Sequence, residues 1–448
     1  MTAIAARPAT AIPGPGGHPL LGMARALRAE TLGTLQAGFV RYGDVVAYRI
    51  GPARGPRRLH RLVIALHHPD DVRRVFTDVE AFTRRTPVFG VLREMFGVNL
   101  VTAEGEDWRR QKRLLQPLFT RAAVERYAAL FEQEAHGVVE RLARERDCTI
   151  DGRQVTEGYA LRVLGRMLFE DERGIDDDTI AALERLVPIV DRQLFARATQ
   201  PLRVPLAWPT PCNRRFAETR DALRATIERV LARGRGTRPA ACPRPGLVSG
   251  LRDARDPQSG QPLSDREVRD QALIFLLAGY TTTATALCAT LHLLGRHPRV
   301  QDRVARGGAQ LALATVQEGL RLHPPSYVLG RRTGAGGVEI AGYALPPDTD
   351  VLVSPWMTHR HPRIWSDPER FDPWRFVDAD ERPPYAWLPF GGGARSCIGR
   401  QVALLEAATF VRALLDRCRL ESLDERMPMS QLNSSLLSRQ VEIRCRRR

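Results

Sequence analysis

The chain has 448 residues, 43% of them hydrophobic and 26% charged, which supplies a large buried core beneath a soluble surface. Its 67 lysines and arginines outnumber 51 acids, and the net charge of +16 draws acidic partners; the arginines are dispersed and no recognition motif accompanies them, which argues against nucleic acid. Seven cysteines without a Cys-x-x-Cys pair argue against a zinc ribbon or a disulfide framework.

Residues 1–19 are rich in Ala and Pro, lack the apolar core of a signal peptide and read as an irregular lead-in to one large unit, 20–448. Uninterrupted apolar runs such as Ala272 to Ala278 fall short of the roughly 20 residues that span a bilayer. A cytoplasmic monomer without membrane insertion is the expectation. Branched residues predict strands at Val45 to Ile50 and Leu62 to Leu66, then a short helix at Asp70 to Phe76. The segment from Phe82 to Asn99 carries apolar side chains, Val88 and Phe89 among them, that pack locally or roof a pocket. Arg84 and Arg85 within it could meet a substrate carboxylate, although a wet rim is the blander reading. A helix runs from Asp107 to about Glu140 with a break near Pro117, and helical periodicity returns over Val155 to Phe169, Asp178 to Leu194 and Asn213 to Leu231. An Arg, Gly and Pro-rich stretch at 233–246 reads as a surface linker.

Ser264 with Glu267 forms a capping box that starts the longest helix, which runs to about Gly295 and stops at His297 and Pro298. Its middle, Ala272 to Leu287, is nearly free of charge and must be buried on most sides. A helix at Leu311 to Leu322 ends before Pro324 and Pro325. Strands follow at Val338 to Ile340 and Asp350 to Ser354, then a helix at Leu404 to Leu415 and a strand at Val441 to Ile443.

The most informative run is Phe390-Gly391-Gly392-Gly393-Ala394-Arg395-Ser396-Cys397-Ile398-Gly399. It sets one cysteine among glycines, behind an aromatic and a basic residue and ahead of a helix. Glycines let the backbone come close to a bound group, and a helix N-terminus favours a thiolate. Phe-x-x-Gly-x-Arg-x-Cys-x-Gly resembles the haem-binding signature of cytochrome P450 enzymes, and the resemblance extends over nearly the whole chain.

The resemblance implies a P450 fold, mainly α with small β-sheets in a single large domain, and haem b as cofactor, with Cys397 as the iron ligand. Phe390, Gly391 and Gly399 would frame the thiolate. Arg395, Arg331, Trp108 and Lys112 would hold the propionates, Lys112 standing where the family has arginine. Lysine lacks arginine's bidentate fork, and Arg109, Arg110 or Arg113 could compensate. Glu318, Arg321 and Arg375 match the family's buried charge triad. Gly279, Thr281 and Thr282 match its oxygen-activation segment, where Thr282 would direct protons. Thr281 replaces the usual acid, so protons come through water, another carboxylate, or the substrate itself. Substrate contacts would come from Tyr280, Val88, Phe89, Ser326, Tyr327, Val328 and Leu436, an apolar set with a few polar handles.

The activity implied is oxidation of a mid-sized, mostly apolar secondary-metabolite intermediate. It would use dioxygen and electrons from an acidic ferredoxin with a separate NAD(P)H-dependent reductase. Two alternatives are oxidative cyclisation or coupling of a substrate with its own N–H or O–H, and a non-catalytic haem-binding or sensing protein.

Overall fold

In the computed structural model the box at Ser264 forms in both directions: the Glu267 backbone N–H donates to Ser264 Oγ at 3.3 Å, and the Ser264 N–H to the Glu267 carboxylate at 2.8 Å. The helix it starts, Asp265–Arg296, is the axis of the molecule. By length and composition this helix could cross a membrane; 72% of its most apolar stretch is buried inside the protein, as in the core helix of a folded domain. The structure describes residues 6–52, 61–169, 177–198, 200, 204–233, 246–378, 382–432 and 435–448. Most of the 233–246 linker lies outside the described residues, as do residues 1–5, Gly55, Pro56, Pro201, Cys242 and Ser434.

The central helix contributes to two apolar cores. One joins Leu287, Leu291 and Leu294 to Phe131, Tyr159 and Phe410. The other joins Leu273, Leu276 and Leu277 to Leu161, Phe216 and Leu223. Its partners are the helices Gly152–Phe169, Gly308–Leu322 and Arg400–Arg417. A Cβ on Gly279 would lie 2.9 Å from Leu164 Cδ2. A side chain at that position would press on the tip of Leu164 from Gly152–Phe169.

The segment after Asp107 breaks as expected at Pro117: helix Gly105–Leu115 gives way to a 3-10 turn, the short helix Arg121–Glu125, and helix Ala128–Arg144. The stretch from Phe82 to Asn99 contains a helix, Pro87–Phe96, in which Pro87 occupies the first turn where its missing N–H costs nothing. Four small sheets lie around the helices. The largest has five strands in the order Val45–Ile50, Arg61–Leu66, Asp350–Val353, Leu329–Thr333, Phe82–Thr83, parallel only between the second and third. A second has three antiparallel strands, Cys418–Ser422, Glu442–Arg447 and Asp147–Asp151, and caps the C-terminal end of the central helix.

Candidate active site

The cysteine loop is built by backbone conformation and by its neighbours. Gly391 and Gly393 both take positive φ, 66° and 64°, and a Cβ on Gly393 would stand 2.0 Å from the Phe76 carbonyl oxygen. Glycine is therefore required where the loop presses on the helix Pro69–Thr77. The Cys397 N–H donates to the Phe390 carbonyl at 2.9 Å, closing the loop on itself. Tyr385 Oη accepts from the Gly393 N–H at 3.1 Å, and Gly399 caps the helix Arg400–Arg417 that follows.

Cys397 faces a cavity of about 1580 Å³. Its side chain is accessible, and it forms part of the wall of this partly open cavity. Burial pushes its thiol above the ordinary value, and the Gly399 N–H and the nearby Arg400 pull the other way. Phe390, Gly391 and Gly399 line the same wall.

Four cations converge beside it. Arg331 lies with its guanidinium 4.7 Å from the Phe76 ring centroid and, among the described residues, donates only to the neighbouring Gly330 carbonyl. Arg395 lies 3.9 Å over the Trp108 ring and donates to the Ala103 carbonyl at 2.8 Å. Lys112 Nζ donates to the Ala394 carbonyl at 2.5 Å, tying helix Gly105–Leu115 to the cysteine loop. Arg84 turns inward, donating to the Arg395 and Val101 carbonyls at 3.1 and 3.2 Å, and its Nε is buried without a partner. Among the described residues none of the four forms an ion pair within 4 Å. Burial, with mutual repulsion added, holds Arg84 and Arg395 down to about 9 and Arg331 to about 10. Uncompensated buried charges are expensive, so this cluster fits a bound dianion. A flat group with two carboxylates on one edge and a metal over Cys397 matches both the cations and the thiol, and a haem meets that description.

Arg84 is therefore not a wet rim, in contrast to Arg85, which is exposed and pairs with Glu104 at 3.1 Å. Arg109, Arg110 and Arg113 do not back up Lys112. Arg109 pairs with Glu106, Arg110 with Glu267, and Arg113 with Asp256 and Glu106.

Opposite Cys397, the central helix lines the cavity with Phe275, Ala278, Gly279, Thr282, Thr283 and Ala286. Their spacing of three and four marks one helical face. Thr282 Oγ donates to the Ala278 carbonyl at 2.7 Å, and Thr281 Oγ to the Leu277 carbonyl at 2.9 Å. Thr281 and Tyr280 do not line the cavity; Tyr280, 3% exposed, belongs to the apolar core. Val88, Phe89, Ser326 and Val328 do line it. Tyr327 and Leu436 do not: both are buried with Leu35 and Met357 in a separate cluster behind the five-stranded sheet. Residue 327 points away because side chains alternate along extended backbone.

The charge triad forms. Arg321 donates to both Glu318 oxygens at 2.7 and 2.8 Å, and all of this pair is buried. Arg375 Nε stands 3.6 Å from Glu318 Oε1, and the Asp372 N–H donates to the same oxygen at 2.9 Å. Arg321 also donates to the carbonyls of His359, Pro368 and Arg370. His359 continues the chain to the cysteine loop: its Nδ1 bonds the Arg321 carbonyl and its Nε2 accepts from the Leu388 N–H at 2.9 Å.

One further group on the cavity wall escaped the sequence reading. Glu406, nine residues after Cys397, lines the cavity with Oε1 buried and unpartnered, and burial pushes its carboxyl well above the usual range. Among the described residues the only other lining acid is Asp350, which Arg61 and Arg332 neutralise.

Comparison with known proteins agrees with this architecture. The cytochrome P450 family model matches residues 12–307 and 309–445. The chain is 34% identical over 432 residues to the cyclooctat-9-en-7-ol 5-monooxygenase of Streptomyces melanosporofaciens, covering 92% of this chain and 90% of that one. It is 33% identical over 424 residues to cyclooctatin synthase of the same organism, covering 91% and 89%. To pentalenene oxygenase of Streptomyces avermitilis it is 30% identical over 425 residues, covering 91% and 90%. The crystal structure of CYP175A1 from Thermus thermophillus superposes with a TM-score of 0.75 at 28% identity, covering 94% of this chain and 96% of that one. The chain belongs to the cytochrome P450 family. It is a P450 oxidoreductase of the monooxygenase type, and haem b is its cofactor.

Proposed function

We propose that this enzyme oxidises a cyclic terpenoid, with Cys397 as the haem iron ligand. The observation that carries the proposal is the single cavity that holds a thiol, four unpaired cations and an apolar wall together. Haem b, when bound, supplies the activation of dioxygen and its use in oxidising the substrate. Cys397 would hold the iron through an anionic sulfur. Arg331, Arg395 and Arg84 would meet the propionates and Trp108 would add its ring N–H, while Lys112 locks the loop from the side. Arg84 would bring a buried guanidinium with an unpartnered Nε to a place where Lys112 lacks arginine's fork.

Thr282 handles the proton on the distal side. Its hydroxyl rests on the Ala278 carbonyl, with its oxygen lining the cavity to accept from water, and rotation about the Cβ–Oγ bond turns the proton inward. Val88, Phe89, Leu92, Phe275 and Val328 exclude water and hold an apolar ring system. Three of the relatives are named for reactions on, or synthesis of, cyclooctat-9-en-7-ol, cyclooctatin and pentalenene, and the apolar wall suits molecules of that kind. An acidic ferredoxin, fed by an NAD(P)H-dependent reductase, would dock over the cysteine loop, near exposed Arg400; the net charge of +16 supports this. The enzyme would work in the cytoplasm.

A second reading is oxidative coupling or cyclisation. It is favoured by the lack of a carboxylate on the cavity-lining face of the central helix among the described residues, where a substrate with its own N–H or O–H would add a proton source beside Thr282 and water. The first test is a Soret titration of the ferric protein with cyclic terpene hydrocarbons and alcohols beside indoles, phenols and small amides. A tight high-spin shift with the terpenoids is the expected result. A shift only with N–H or O–H aromatics or amides would overturn the terpenoid proposal.

A further inference from the structure

Away from the haem cavity, three of the remaining cysteines share one small sheet. Cys148 lies on strand Asp147–Asp151, Cys445 on Glu442–Arg447, and Cys418 begins Cys418–Ser422. The register sets Cys445 directly opposite Cys148 and opposite Leu420 on its other side. Cys418, two residues before Leu420, is thus the diagonal neighbour of Cys445 on the same face. That face is buried: Cys418 is 0% and Cys445 1% exposed. Cys148 is half-buried and sits on the edge strand, where small solutes reach it. On the opposite face Arg444 and Arg446 both pair with Asp147, at 2.8 and 3.3 Å, which pins the register.

All three thiols are free in this structure. Residues directly opposite in an antiparallel pair have Cα atoms about 4.5–5.5 Å apart, within the range of about 4.4–6.8 Å that a disulfide needs. Diagonal neighbours stand about 7–8 Å apart, near or beyond its limit. We propose that Cys148 and Cys445 are a modification site, forming a reversible cross-strand disulfide when the enzyme meets hydrogen peroxide. The half-exposed Cys148 sulfur attacks the peroxide O–O bond, becoming a sulfenic acid and releasing one water. The Cys445 sulfur then displaces the hydroxyl, which leaves as a second water with the Cys445 proton. Two thiols are oxidised, one peroxide is reduced, and the S–S bond replaces two S–H bonds. Burial holds the Cys148 thiol above its ordinary value while contact with Cys445 pulls it back; contact with Cys445 holds Cys418 below the ordinary value, and Cys445 is pushed up. The bond would fasten residue 148 to the chain's last strand, at the end of the sheet that caps the central helix.

The test treats the haem-loaded protein with excess hydrogen peroxide, denatures it in iodoacetamide and maps the peptides without reduction. A Cys148–Cys445 linked peptide is expected, with two fewer alkylated thiols, both reversed by dithiothreitol. Cys418→Ser should keep the link, and Cys445→Ser should lose it. Cys148 and Cys445 both recovered alkylated after peroxide, or Cys445 linked to Cys418, would overturn the assignment; the wild-type map alone decides this if a variant misfolds.

Discussion

Glu318→Ala is expected to destabilise the protein by about 3–5 kcal/mol, the cost of breaking one side of a buried ion pair. The substitution leaves the Arg321 guanidinium buried without its two carboxylate bonds and orphans the Asp372 N–H as well. A loss of that size is a large part of a total stability of about 5–15 kcal/mol. Because Arg321 holds the carbonyls of His359, Pro368 and Arg370, and His359 holds Leu388, the disturbance passes directly into the cysteine loop. Urea unfolding followed at the Soret band should show a lower midpoint and a sharp fall in haem content. Arg375→Ala should cost less, about 1–2 kcal/mol, because its contact with Glu318 is longer, at 3.6 Å, and its bonds to Ser366 and Asp367 are exposed. Equal losses for the two variants would contradict the geometry described.

Cys397→Ser is expected to abolish turnover while leaving the apoprotein folded. The loop closes through the backbone, by the residue 397 N–H and the Phe390 carbonyl, and through glycines at positive φ, none of which the side chain alters. A serine hydroxyl does not ionise near neutral pH and cannot supply the anionic sulfur. The circular dichroism and thermal midpoint of the apoprotein should therefore match wild type, product formation should fall to background, and the ferrous carbon monoxide complex should lose its thiolate-type Soret band. A retained thiolate-type band in the variant would show that another cysteine holds the iron.

Much of the architecture could be read from local chemistry. The capping box at Ser264, the proline break at 117 and the charge-free middle of the long helix each depend on neighbouring residues, and each appears as expected. The cysteine loop and the Glu318–Arg321 pair are likewise short-range patterns. The wet-rim reading of Arg84 gives way because its burial arises from the chain folding residues 82–104 over a loop about 310 positions later, a contact with no local trace. Tyr280 was a different failure. Its helix exposes positions 275, 278, 279, 282, 283 and 286 to the cavity, so helical periodicity alone would have set Tyr280 on the far face. Tyr327 similarly follows from alternation along extended chain, and Leu436 from its place on the strand Ser435–Ser438. The helix at Pro87–Phe96 was hidden by a mixed apolar pattern, since its residues face both the core and the cavity.

The account makes Thr282 sufficient for proton handling on a distal helix face without a carboxylate, and oxygen insertion into a cyclic terpenoid the outcome. The most direct measurement is turnover under isotopically labelled dioxygen with a cyclic terpenoid that gives a high-spin shift, followed by mass analysis of the product. One labelled oxygen atom in the product is the predicted result. An oxidised product carrying no label, with a new ring bond or double bond in its place, would contradict it and leave coupling or desaturation as the reaction of this cavity.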